Sequence, residues 1–590
     1  MHDPANGKTV ELTAADAPRV AIVVGDKPGD EDAAKLLAEK AAEIAGVALP
    51  LVSPGEPDAG LGRVHIGTLS EGSAATEALR LDHAVVNWTD REQEEYKRLN
   101  IPADLGPEGY VFHATDAGND LVLGGHTAQG TLYSAVTAGQ RLILDGGRLV
   151  IPHIDTPLQP RLNMPLFPHR SVATNLGGPD WIAPARWENE WGLADGTYNW
   201  KGFVDFLVEH KINNLNAWIF NLAWGIAYNS DRFPEMVNPY HPNVRHEFMK
   251  DLIEYAAGRG IDTWLFLDFP ENWAGIIRKR PHLAGKNVDL DDFPQGEAWE
   301  SYLRGDETSL AVRKRVGWVC GDEPDVMNFW VEYLDELLDR YPSVRGIGGQ
   351  FGESMHERCD CGRCSTGYFD VQEEYFARMI EVAQAKDPAI VPWVYDSLGS
   401  REIIRAAEKY PHFVNVDWGS APTWLKFESR RQVPRSDWYM QHAYGRRWQE
   451  STIRRCTRVL SSMGQTGYQL RVLDFQSQDE LYHAVQEFTW NPDLDDDDFA
   501  RLHIMKRYHR DDAGLSRLYA TWIRISGAHE ELSRGESDGW TDFADVRQNL
   551  GRDVASLDTM LAAIPQPDGF VSDIAHALET NRAELDDLSK

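Results

Sequence analysis

Cysteine is scarce, with five residues in 590. The odd number and low density argue against a disulfide framework. Basic residues are also in deficit: 59 Lys and Arg stand against 92 Asp and Glu, a formal net charge of −33. Such a field repels phosphate backbones and anionic lipid surfaces, so neither nucleic acid nor membrane is expected as a partner. By itself the charge signifies only a well-solvated surface. No run approaches the roughly 18 apolar residues of a membrane span. The opening MHDPANGKTVELTAADAPRV has no apolar core of a secretory leader, which gives the expectation of a cytoplasmic protein. Ser-His-Asp arrangements, phosphate-binding loops and H-x-H arrays are likewise missing as competing signals.

What remains is a globular composition, 42% hydrophobic and 26% charged, rich in Trp (20), Tyr (20) and Phe (21). The first part alternates strand and helix periods: RVAIVVG, the helical DEDAAKLLAEKAAEIAG, GRVHIGT, a strand pair in GYVFHATDAGNDLVLGG, then the helical TAQGTLYSAVTAGQRLIL. It predicts a small α/β domain over 1–155, closed by the proline-rich IPHIDTPLQP, which is expected to hold no regular structure. Eight short apolar runs follow, separated by amphipathic helices: MPLFPHRSV, INNLNAWIFN, DTWLFLDF, VRGIGGQF, AIVPWVYD, HFVNVDWG, DWYMQHA and GYQLRVLDF. They predict a (β/α)₈ barrel over 156–485, with an open parallel sheet as the alternative. Helical periods in FARLHIMKRYHR, LSRLYATWIRISGAHEEL and FADVRQNLGRDVASLDTMLAAI predict a helical region over 486–590, and the DLDDDD run ahead of it a solvated helix start.

In a barrel the active site lies at the C-terminal ends of the strands, so polar residues just after each apolar run carry the candidate chemistry. These are His169, Arg170, Asn221, Asp268, Glu271, Gln350, Glu353, Asp396, Asp417, His442, Asp474 and Gln476, with Trp218, Trp393, Trp418 and Trp438 nearby. Carboxylates dominate. Glycosidic bond cleavage needs one carboxylic acid to protonate the leaving oxygen and a second group to act as nucleophile or to activate water. The plain alternative for any one acid is a structural pair with a barrel cation, and for any one aromatic, core packing.

The runs LVEHKINNLNAWIFN, LIEYAAGRGIDTWLFLDFPENW and VGWVCGDEPDVMNFWVEYLDELLDRYPSVRGIGGQFGES resemble the first half of the family 20 glycoside hydrolase barrel, that of the β-N-acetylhexosaminidases. The α/β segment with GTLYSAVTAGQRL resembles the noncatalytic domain that these enzymes share with family 67 α-glucuronidases. The resemblance implies a glycosidase with no catalytic cofactor and a carbohydrate as its partner. It implies that Arg170 in FPHR holds sugar hydroxyls, and that Glu353 is the general acid. Where the family has Gly-Gly-Asp-Glu, this chain has Gly348, Gly349, Gln350, Phe351, Gly352 and Glu353. The Asp that orients a substrate acetamido group is therefore replaced, and the second catalytic group is expected from the protein. Asp396 is the first choice, with Asp417 as a second base or hydroxyl ligand. His169, Trp218, Asn221, Asp268, Gln350, Trp418, His442 and Asp474 are expected around the sugar. Lys211, Arg446 and Arg447 are cations that a uronate would need. A barrel that binds carbohydrate without turnover is the competing reading.

Immediately after Glu353, MHERCDCGRCS sets Cys359, Cys361 and Cys364 in a C-x-C-x₂-C array with His356 upstream. Three thiolates and an imidazole would complete a tetrahedral, structural zinc site. A disulfide and free thiols are the alternatives. Cys320 and Cys456 read as buried apolar residues.

Overall fold

The computed structural model describes residues 7–14, 17–56, 60–81, 106–115, 120–174, 199–220, 222–267, 269, 273–304, 318–351, 359–396, 409, 413–418, 437–442, 448–472, 479–534 and 543–589. The chain forms two compact units. One comprises residues 1–166, 448–458 and 479–590, and the other residues 167–447 and 459–478. By contacts, the C-terminal helices and residues 448–458 cluster with the N-terminal α/β segment, whereas the sequence reading divides the chain at 155 and 485.

In the first unit a six-stranded sheet holds Val20–Val24, Gly62–Thr68 and Leu121–Gly125 in parallel, with Tyr110–Ala114 antiparallel beside the last. The helices Asp30–Ala45 and Ala128–Gln140 fall where the 3.6-residue period predicts them. The proline-rich closing segment is a correction. Arg148–Ile154 is a strand, paired with both Lys8–Glu11 and Ile143–Asp145. Pro152 is tolerated because it lies where the register against Lys8–Glu11 shifts, beside His153 at φ 63°. A bulge leaves a backbone N–H without a ladder partner, so proline loses nothing there. Helices Asp496–Tyr508, Ala513–Arg534, Phe543–Ala562 and Gly569–Leu588 follow. The acidic run starts the first of them: the Asp495 carboxylate accepts from the Asp498 N–H, with three more acids in the first turn.

The second unit is a closed barrel of eight parallel strands, here β1 His169–Thr174, β2 Asn214–Ala217, β3 Asp262–Leu267, β4 Gly346–Phe351, β5 Val391–Asp396, β6 Val414–Trp418, β7 Trp438–His442 and β8 Gly467–Val472. Seven of them lie inside their apolar runs, and β1 overlaps the end of MPLFPHRSV and continues two residues beyond it. The lumen is filled by Ala173, Trp264, Phe266, Trp393, Tyr395, Val416, Trp438 and Met440. Trp264 stacks on Trp438 at 4.3 Å and 16°, and lies 6.0 Å from Trp393. Indoles of this size fit because the facing positions carry no side chain. A Cβ at Gly346 would run into the Trp264 ring, one at Gly467 into Trp438, and one at Gly348 into Trp393. At the level of Ser171 the lumen is polar: the Ser171 hydroxyl donates to Asn214 Oδ1 at 2.6 Å and accepts from Gln469 Nε2 at 2.8 Å.

The first strand corrects two site assignments. The run MPLFPHRSV predicts a strand that ends near Arg170, but Pro165 and Pro168 cannot donate to a ladder, and β1 begins only at His169. Arg170 thus lies at the N-terminal end of its strand, fully buried. Its guanidinium donates to the carbonyls of Lys211 (2.7 Å), Phe167 (2.8 Å) and Pro168 (3.4 Å), while its backbone N–H donates to Asn213 Oδ1. It ties the floor of the barrel together and does not hold a sugar at the mouth. His169, exposed at the same end, stacks on Trp438 at 5.0 Å. Lys211 is buried at this end too, so it is no candidate for a uronate.

Two outcomes test this packing. Gly348→Ala, which drives a methyl into Trp393, is expected to cost about 1–3 kcal/mol of unfolding free energy in urea titration, while Gly258→Ala, facing open space on a helix, stays within about 0.5 kcal/mol. Arg170→Met, which orphans buried carbonyls, is expected to cost about 2–4 kcal/mol with sugar affinity of the folded protein unchanged. Lost affinity at full stability would return Arg170 to the binding site.

Candidate functional site at the barrel mouth

The C-terminal end of the barrel is assembled by register. Gln350 pairs with Tyr395, Phe351 with Asp396, and Asp396 with Asp417, so β4, β5 and β6 carry these positions abreast. Asp396 and His442 are the last residues of β5 and β7, Trp418 closes β6, and Gln350 is the penultimate residue of β4, buried. These candidates therefore lie at strand C-termini, as the apolar runs predict. Asn221, Asp268, Glu271, Glu353, His356, Arg446, Arg447, Asp474 and Gln476 lie outside the described residues.

Trp218 follows β2 directly, its N–H donating to Thr174 O at 2.8 Å. Its ring stacks on Phe266 at 3.9 Å and 26°, and the Arg471 guanidinium lies 3.7 Å from its centroid. Two groups within 4 Å of a centroid occupy both faces, so Trp218 is not a bare stacking platform for a sugar. Its role is to hold Arg471. Trp393 and Trp438 are fully buried in the barrel and are core, not platform.

Arg471 is the residue that strand-end reasoning passes over. It sits near the end of β8, abreast of His442, 8% exposed, with Nη1 3.4 Å from the Tyr395 hydroxyl and its carbon 5.8 Å from that ring. A guanidinium between two aromatic faces keeps its charge and has its fork oriented in advance. The signal was present in GYQLRV, where Gly467, Gln469 and Arg471 share one face by the strand period. The cation lies within the strand and not after it.

The cysteine array is joined by an unexpected member. The ligand atoms of Cys320, Cys359, Cys361 and Cys364 all lie within 4.8 Å of one another, and none forms a disulfide. Cys320 is thus no isolated apolar residue, which corrects that reading. Burial and the neighbouring thiols raise the Cys320 and Cys364 thiols, Cys364 to about 12. Burial opposes ionisation of Cys361 as well, but the Cys364 N–H and the surrounding thiols bring it below its ordinary value. Only the first thiolate of such a group forms easily without a cation.

No protein-family model matches the chain. In sequence it is similar to a β-hexosaminidase of Akkermansia muciniphila, 25% identical over 293 residues, which are 46% of this chain and 52% of the relative. The match thus spans about half the length of that curated relative. In structure it is similar to the Flavobacterium johnsoniae chitobiase, with a TM-score of 0.52 and 10% identity, covering 99% of this chain and 93% of that one. A crystal structure of a β-N-acetylhexosaminidase gives a TM-score of 0.44 at 15% identity, covering 69% of this chain and 90% of that one. What the chain shares with the chitobiase is the fold, an eight-stranded parallel barrel with a smaller α/β region before it and helices at the C-terminus.

Proposed function

We propose that the chain is a glycosidase acting on a terminal sugar or short oligosaccharide at the C-terminal mouth of the barrel. The observation that carries this reading is the register that sets Phe351, Asp396 and Asp417 abreast on three adjacent strands, with Glu353 two residues beyond Phe351 in the sequence. Glu353 is the general acid that protonates the leaving oxygen. Asp396 is the second carboxylate, acting as nucleophile or as base toward water, and Asp417 is its alternate or a ligand of a ring hydroxyl. Gln350, Asn221, Asp268, Trp418, His442 and Asp474 supply the polar and aromatic lining, and Arg471 supplies a fixed cation. Acid, base and charge stabilisation all come from side chains, and the cysteine array takes no part in the bond cleavage.

The likeness to a β-hexosaminidase supports an N-acetylhexosaminide as the substrate. Arg471 supports a second reading, a uronide, because a preorganised fork matches a carboxylate with two hydrogen bonds. A panel of aryl N-acetylhexosaminides, glucuronides and neutral glycosides separates the two, with products followed by NMR. Glu353→Gln is expected to lower kcat by about 10²–10⁴-fold, and Asp396→Asn to lower it comparably while Asp417→Asn acts less. For a uronide substrate, Arg471→Gln raises KM by about 10–100-fold, the worth of a charged hydrogen bond. Turnover that survives Glu353→Gln assigns the acid elsewhere. Sugar affinity without turnover on any member of the panel makes the chain a carbohydrate-binding barrel.

A further inference from the structure

We propose that Cys320, Cys359, Cys361 and Cys364 bind one zinc ion as a closed four-thiolate site that fastens the segment following β4 to the segment preceding the helix Pro324–Arg340. Four sulfurs at about 2.3 Å from a tetrahedral zinc stand about 3.8 Å from one another. Cys320 Sγ and Cys361 Sγ are 3.7 Å apart, and all four ligand atoms fall within 4.8 Å. A disulfide needs about 2.05 Å, so the arrangement fits the edges of a tetrahedron and not a pair of cross-links.

The backbone around the sulfurs is arranged for thiolates. Lys286 N–H donates to Cys359 Sγ at 3.3 Å, Cys361 N–H to Cys359 Sγ at 3.4 Å, and Cys364 N–H to Cys361 Sγ at 3.3 Å. A neutral thiol is a weak acceptor, whereas a metal-bound thiolate uses such donors to spread its charge. Cys361-Gly-Arg-Cys364 turns tightly into the helix Gly362–Thr366, which brings both sulfurs to one side. Cys320 comes from 41 residues before Cys361, held by its N–H bond to Leu283 O at 3.0 Å and by the bridge of Ala284 with Val319. Cys359, Cys361 and Cys364 are buried and Cys320 half-buried. Four thiols drawn from separate segments into one pocket are costly without a cation and strongly stabilising with one.

Four protein ligands leave no coordination position for water, so the ion is structural. His356 is then not a ligand. Cys359 lies six residues beyond Glu353 in the sequence. If Glu353 is the general acid, as proposed above, the ion anchors one end of the segment that carries it.

The test is elemental analysis of the purified full chain with the variants Cys320→Ser, His356→Ala and Cys456→Ser. About one equivalent of zinc is expected in the wild type, His356→Ala and Cys456→Ser, and less than about a tenth in Cys320→Ser. Because Cys320→Ser can fail to fold, X-ray absorption on wild-type protein gives an independent count, with four sulfurs at about 2.3 Å expected. Three sulfurs and one nitrogen, zinc lost in His356→Ala but kept in Cys320→Ser, iron in place of zinc, or a metal-free chain with four reactive thiols would each overturn the proposal. None of these readouts depends on turnover, so failure here leaves the glycosidase reading standing, and an inactive protein leaves the zinc count intact.

Discussion

The barrel is organised around a stack of aromatic rings that needs glycine beside it. His169, Trp438, Trp264, Trp393, Phe266 and Trp218 follow one another ring to ring from the N-terminal floor to the C-terminal mouth, where Arg471 lies over the last indole. Interiors pack as densely as organic crystals, so indoles can replace the branched aliphatic layers usual in such barrels only if neighbouring positions give up volume. Gly346, Gly348 and Gly467 provide it. Strand sequences such as GIGGQF and GYQLRV therefore look weak by strand propensity alone. Their glycines are explained by packing and not by turns.

That stack separates two chemically different ends of the barrel. The floor is closed by hydrogen bonds, chiefly the Arg170 fork on three carbonyls and the Asn213 amide that supports it. The mouth is where the strand register delivers acidic positions side by side, and where the uppermost ring of the stack orients a cation. A packed lumen between them holds the strand ends at fixed spacing, as the acid–base chemistry proposed above requires.

Much of this was legible in the sequence, and the failures have definite causes. All eight barrel strands are marked by the apolar runs, seven of them lying wholly inside, because a parallel strand buried on both faces must be apolar throughout. The error at β1 is one of boundary. An apolar run that includes Pro165 and Pro168 starts later as a ladder than as a hydrophobic segment, and a shift of a few residues moved Arg170 from mouth to floor. Pro152 was read as ending structure because a bulge is a property of two strands and not of one. Cys320 was missed because its partners lie 41 residues away, and only folding brings them together. Local spacing pointed to His356 instead, the nearest ligand in sequence.

The discontinuity of the first unit sets a constraint on the whole chain. Gln140 and Gln486 exchange two amide hydrogen bonds, at 3.1 and 2.7 Å, although 346 residues separate them. Beside them Arg141 pairs with Glu487 at 3.0 Å, almost without exposure, and Trp490 packs against Tyr110 and Tyr133. An isolated half would leave a buried guanidinium and two primary amides without partners, each costing about 1–3 kcal/mol or more. The N-terminal α/β segment and the helix Asp479–Trp490 are thus one core written at two places in the sequence, with most of the barrel between them. The closure entropy of so long a connection grows only logarithmically with length, so a barrel that folds on its own local contacts makes that closure cheaper by shortening the chain that must be spanned. Stacked indoles and their glycines give the barrel such contacts within its own strands.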